Sequence, residues 1–154
     1  LILDTLGFAY AIRTGTTEHA QASKSERTYI DFLISEQPLA ELLNTASLDL
    51  IGTLGWAADK VYENNTIDQF LGIEKPELSS GRTPFYVCPE CGDIGCGAIT
   101  AEIEITENEV TWKNFGYENN EDEPNLTDYK EIGPFHFNKA AYIDCFKEIK
   151  QKLK

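Results

Sequence analysis

From Gly97 to Phe115 the chain reads GAITAEIEITENEVTWKNF, and no other stretch restricts the fold as much as this one, with its period of two. Successive side chains of a strand point to opposite sides. Ile99, Ala101, Ile103 and Ile105 therefore share one face, and Thr100, Glu102, Glu104 and Thr106 the other. Glu107, Asn108 and Glu109 break the alternation, and Val110 and Trp112 resume it. The pattern predicts an antiparallel hairpin with one face for a core and one for water.

The remaining elements arrange themselves around that hairpin. RTYIDFLIS alternates, with Ile30, Phe32 and Ile34 opposite Tyr29, Asp31 and Leu33, and predicts a half-buried strand. Leu39, Leu42 and Leu43 follow Pro38 at helical spacing. LDLIGTLGW reads as a turn or short strand that puts Trp56 in the core. A short helix is expected from Thr66 to Leu71, capped by Thr66 and stopped near Gly72. PFYVC is a short apolar strand, and Phe135 to Phe137 another. Asn138 then caps a C-terminal helix whose apolar stripe is Tyr142, Cys145, Phe146, Ile149 and Leu153. Lys147, Lys150, Lys152 and Lys154 suit the negative end of its dipole. Residues 1–12 fit helix or strand equally; 13–26 and 74–84 read as loops. Strands in the middle with helices around them predict an α+β fold. We expect a single domain, 1–154, with a central antiparallel sheet, flanking helices and a C-terminal amphipathic helix.

A chain of 154 residues, 42% of them apolar, is long enough to bury a core without disulfide staples. No apolar run approaches a membrane span. The opening LILDTLGFAYAI carries Asp4 and lacks a basic region, which makes it a poor signal peptide, and a cytoplasmic location is expected. The sequence begins at Leu1 and contains no Met, so that expectation rests on the residues given. The 26 acidic residues outweigh 13 Lys and Arg, for a net charge of −13. Such a field repels nucleic acid and anionic lipid, and it speeds the capture of a basic partner.

Three of the four cysteines lie in YVCPECGDIGCG, Tyr86 to Gly97. Cys88 and Cys91 have the spacing with which two thiolates grip one metal ion, and Cys96 could add a third. A second C-x-x-C is missing, so a fourth ligand would come from Asp93, His136 or Cys145. Cys145 lies on an apolar helical stripe, which favours core packing; His136 alternates with Phe135 and Phe137 and is the better candidate. Thiol-redox chemistry is a second reading, weakened by glycines where a helix should begin. A turn shaped by Gly92 and Gly95 is a third. The two histidines, His19 and His136, sit in no recognisable triad neighbourhood, and no phosphate-cradling loop or dinucleotide fingerprint is present.

Between Tyr117 and Glu131 the chain becomes strongly acidic. Glu118, Glu121, Asp122, Glu123, Asp128 and Glu131 face only Lys130, and Tyr117 and Tyr129 are interleaved with them. The bland reading is a solvated loop. The sharper one is a docking surface, in which carboxylates meet basic side chains and tyrosines supply rigid anchors.

The segments CPECGDIGCG, TWKNFGYEN and IGPFHFNKAAY resemble those of a widespread group of small bacterial proteins, some of them loosely labelled oxidoreductases. The resemblance runs from about Tyr29 to the last helix and includes DLIGTLGW, with Cys91, Gly92, Gly95, Cys96, Gly97, Trp112, Phe115 and Gly133-Pro134-Phe135 as its recurring positions. It implies packing and turn roles and brings no catalytic residues. In type the chain also looks like the immunity proteins of contact-dependent growth inhibition. That likeness implies a non-enzymatic binding protein that neutralises a cognate, basic, nuclease-type toxin domain without touching nucleic acid or membrane. The alternative is a small zinc-stabilised or thiol-redox protein built on Cys88, Cys91 and Cys96, with His136 as the remaining metal ligand. The first reading needs no cofactor; the second needs zinc.

Overall fold

The computed structural model describes residues 2–15, 25–91 and 94–154. Its fold is α+β. Strands β1 (Leu6–Arg13), β2 (Arg27–Ile34) and β3 (Gln37–Pro38) form one antiparallel sheet, and helix α1 (Leu39–Leu43) follows directly. Strands β4 (Ile51–Gly52), β5 (Thr83–Val87), β6 (Ala98–Ile105), β7 (Glu109–Glu118) and β8 (Phe135–Asn138) form a second antiparallel sheet in chain order. Helix α2 (Lys60–Phe70) lies between β4 and β5, and α3 (Lys139–Lys152) closes the chain. Single bridges join the sheets at both edges, Ile30 to Leu54 and Asp4 to Phe137. Thus two sheets, stitched edge to edge, stand where one central sheet is expected from the sequence. No helix among the described residues is long and apolar enough to cross a membrane.

The five-stranded sheet curls because two of its strands carry extra residues. The β5–β6 register shifts between Pro84 and Tyr86, and the β6–β7 register between Thr100 and Glu102. A bulge bends its strand and sharpens the local twist. At the second one Asn114 takes a φ of 56°, a left-handed conformation that Asn tolerates better than most residues. Both irregularities turn a phenylalanine inward: Phe85 and Phe115 are fully buried, with ring centroids 5.3 Å apart. Buried Arg82 spans the region. It donates to the hydroxyl and the carbonyl of Thr100, each at 2.8 Å, and to the carbonyl of Asn114, oxygens that a bulged ladder leaves in need of donors. Glu118, also buried, lies 3.5 Å from the guanidinium and accepts from Ser80 and Thr100. Burial pushes the Arg82 pKa down, and Glu118 and Glu102 hold it up.

Both sheets and two helices meet on aromatic rings. Phe32 of β2 lies 5.1 Å from Trp112 and 5.3 Å from Phe70 by ring centroids, and Phe85 packs 4.8 Å from Trp112. The indole of Trp112 donates to the hydroxyl of Tyr142, which donates to the carbonyl of Phe70 at the end of α2. A helix end leaves such carbonyls without partners, so the buried chain satisfies three polar groups together.

Several expectations are met: the 97–115 hairpin, the strands at PFYVC and Phe135–Phe137, and α3 with Asn138 as N-cap accepting from Ala141. Others are corrected. Helix α2 begins at Lys60, because Asp59 accepts from the amides of Val61 and Tyr62; Thr66 instead bonds back to the Tyr62 carbonyl. Trp56 is half-buried, bonded to the Gly52 carbonyl with Arg27 over its ring, and Leu54 takes the core position. Strand β2 is covered on both faces, and Asp31 is buried with the Tyr86 hydroxyl and the Ala40 amide as donors. Burial raises the Asp31 pKa.

Removing one partner of a buried ion pair costs about 3–5 kcal/mol. Arg82→Met is expected to lower unfolding free energy by about that much in urea titrations. R82M/E118Q should recover part of the loss, since it removes the stranded charge.

Candidate functional site

Two features of the sequence converge at one end of the five-stranded sheet. The thiol-bearing loop joins the end of β5 to the start of β6, and the acidic loop leaves the end of β7. Ala98 pairs with Glu118 and Ile99 with Tyr117, so the two loops are neighbours. Gly97 fixes the contact. Its φ is 95°, and a Cβ there would stand 2.0 Å from the Tyr117 hydroxyl oxygen. The left-handed position is therefore at Gly97, while Gly95 lies within the 3-10 turn Ile94–Cys96; Gly92 and Asp93 lie outside the described residues.

A turn at Pro89–Cys91 and the 3-10 turn after it fold the loop back on itself. The sulfurs of Cys88, Cys91 and Cys96 come within 4.8 Å of one another, with Cys91 and Cys96 Sγ 2.7 Å apart. Cys88 is half-buried, and the other two face solvent. The contact with Cys91 raises the Cys96 thiol to about 11, with desolvation adding to it. Polar bonds from the other sheet secure the loop. Arg27 donates to the Pro89 carbonyl, and Glu90 accepts from Arg13 at 2.7 Å and from the Ser25 amide at 2.9 Å. Arg13 also makes a two-pronged pair with Asp49.

The other candidate ligands lie elsewhere. His136 sits opposite Thr111, whose β6 partner is Glu104. Glu104 lies six positions beyond Ala98, about 20 Å along the sheet at ~3.3 Å per residue. His136 is thus remote from the thiols, and its Nδ1 faces Glu109 at 2.7 Å and Thr111 at 3.1 Å. A nucleophile–histidine–acid relay uses both ring nitrogens, and here both contacts fall on one. Cys145 is buried on α3, where burial raises its thiol to about 11. His19 lies outside the described residues.

The acidic loop divides into framework and surface. Glu118 is 6% exposed and faces Arg82, Tyr129 is 8% exposed, and Tyr117 is half-buried against Gly97. These three hold the loop, and Glu118 and Tyr129 are buried, away from any partner. Glu121, Asp122, Glu123, Asp128 and Glu131 are exposed. Paired backbone bonds between Tyr117 and Asn125 close the base of the loop, and Asn119 Oδ1 accepts from the amides of Glu121 and Asp122. Residues 118–124 and 77–80 flank a groove of about 700 Å³ whose lining includes Glu77, Glu121, Asp122 and Glu123 and no Lys or Arg. The contributions of Glu77, Glu90 and Arg82 escape sequence reading; Glu90 stands inside the C-x-x-C spacing, the one signal that could have drawn attention to it.

Comparison of the chain with family models, curated proteins and solved structures finds no match.

Gly97→Ala is expected to destabilise the protein by about 1–3 kcal/mol, the usual cost of forcing a side chain into such a backbone region. Thermal unfolding checks this, and G97A/Y117A should recover only the part due to the clash. Glu90 yields a pH prediction. Its carboxyl is held down to about 2, from 4.5, chiefly by Arg13 and then by the Ser25 amide. A depressed carboxyl stabilises the fold above its unfolded pKa and loses that effect as pH falls. The stability gap between wild type and Glu90→Gln should therefore be full above pH 4.5 and close as pH falls to about 2. Urea midpoints across that range measure it.

Proposed function

We propose that this chain is a non-catalytic binding protein of the immunity type, which neutralises a basic, nuclease-type toxin domain by covering its cationic surface. The observation that carries the reading is the groove between 77–80 and 118–124, lined by Glu77, Glu121, Asp122 and Glu123 and by no Lys or Arg. A nuclease binds phosphates through clustered Lys and Arg, and a preformed acidic groove offers those side chains an alternative partner. The bonds at Asn119 and Asn125 favour binding because an ordered loop gives up less entropy on association. The net charge of −13 adds long-range steering to the local complementarity. The proposed contact set is Glu121, Asp122 and Glu123 with Glu77 across the groove, and Asp128 and Glu131 extend the field beyond it. Tyr117, Glu118 and Tyr129 support the surface from within.

The test is association kinetics with a basic, nuclease-type toxin domain, sought first in the coding sequence next to that of this chain. E121K/D122K/E123K should slow association about tenfold or more at low salt. Raising ionic strength should slow the wild type more than the variant, whose remaining acidic residues still steer a basic partner. Association rates unchanged by both would contradict the electrostatic reading.

A further inference from the structure

We propose that Cys88, Cys91 and Cys96 bind one zinc ion as three thiolates, with the fourth position filled from outside this trio, and that the ion locks the β5–β6 connection. The geometry makes one ion sufficient. Tetrahedral zinc with Zn–S near 2.3 Å separates its sulfurs by about 3.8 Å; the three Sγ atoms here all lie within 4.8 Å of one another, and Cys91 and Cys96 Sγ, 2.7 Å apart, move apart by about 1 Å to share the ion. Three soft donors, with no harder side chain in the cluster among the described residues, favour zinc over the oxygen-seeking Mg²⁺ and Ca²⁺. An iron–sulfur cluster asks for four cysteines, and the fourth cysteine of this chain is buried on α3.

The surrounding chain suits the ion. Three thiolates and Zn²⁺ sum to a charge of −1. Arg27, bonded to the Pro89 carbonyl between the first pair of ligands, offsets that charge, while Arg13, paired with Glu90 and Asp49, holds the loop in place. Outer contacts of this kind orient ligands and tune a site. The Arg27 and Arg13 bonds also fix the loop from the opposite sheet, so zinc would tie together a segment that both sheets already hold. Gly97, one residue past Cys96, packs on Tyr117 at the root of the acidic loop, which places the ion where it stabilises the neighbouring groove as well. The zinc site stands independently of toxin binding, because it rests on the sulfur positions alone.

The experiment uses the full chain purified without chelator and with reductant. Elemental analysis should find one zinc per chain. Co²⁺ added to the reduced, metal-free protein should saturate at one equivalent, with a sulfur-to-cobalt charge-transfer intensity equal to three thiolates. C91S and C96S, both at exposed positions, should each weaken Co²⁺ binding by tenfold or more, and C145S should leave it unchanged. EDTA should lower the melting temperature of wild type and C145S and leave that of C91S unmoved. Trace zinc together with no charge-transfer band in the reduced wild type would overturn the proposal. So would a band that survives all three of C88S, C91S and C96S, or a Cys91–Cys96 disulfide that persists under reductant and excludes Co²⁺.

Discussion

The packing of Phe32 against Trp112 is the contact on which the rest of the molecule depends. Phe32 comes from the three-stranded sheet and Trp112 from the five-stranded one; Phe70 of α2 packs on both rings, and Phe146 of α3 on Phe32 and Phe70. Edge-to-face aromatic pairs contribute about 0.5–1.5 kcal/mol each beyond the area they bury. The larger effect is geometric. Rings of this size fill the space between two sheets only if the larger sheet wraps around them. The bulges at Phe85 and Asn114 provide that curvature, and Arg82 stabilises the backbone where it departs from a regular ladder.

That curvature determines where the proposed binding surface lies. The bulged strands β5 and β7 end on either side of the start of β6, so the β5–β6 loop and the segment after β7 emerge together with Gly97 against Tyr117 between them. One loop carries thiols and the other carboxylates. Glu118, the first carboxylate of the acidic segment, turns inward to Arg82 and becomes part of the fold. The acids after it stay in water and supply the field. The same stretch of chain therefore changes from buried framework to exposed surface within about three residues, from Glu118 to Glu121.

What the sequence discloses follows from how local the determining physics is. The 97–115 hairpin and α3 are legible because alternation, a cap and an apolar stripe are written in consecutive residues. The β2–β3 turn is not: Ser35 and Glu36 both adopt positive φ in place of the Gly or Asn such turns favour, so no residue announces it. The start of α2 is missed because Asp59 caps a run with little apolar periodicity, Lys60 to Asn65. The convergence of Cys88, Cys91 and Cys96 is foreseeable from spacing, whereas the separation of His136 depends on strand register. The burial of Glu118 and Tyr129 depends on Arg82 and on packing against distant strands, which no window of residues contains.

Amide hydrogen exchange on the complex with the toxin domain tests the central claim most directly, since it reports which surface the partner covers. Slowed exchange at 77–80 and 119–124, with little change along β1 and the exposed face of α3, is the result the account predicts. Protection confined to β1 and α3, with 119–124 exchanging as fast as in the uncomplexed chain, would contradict it.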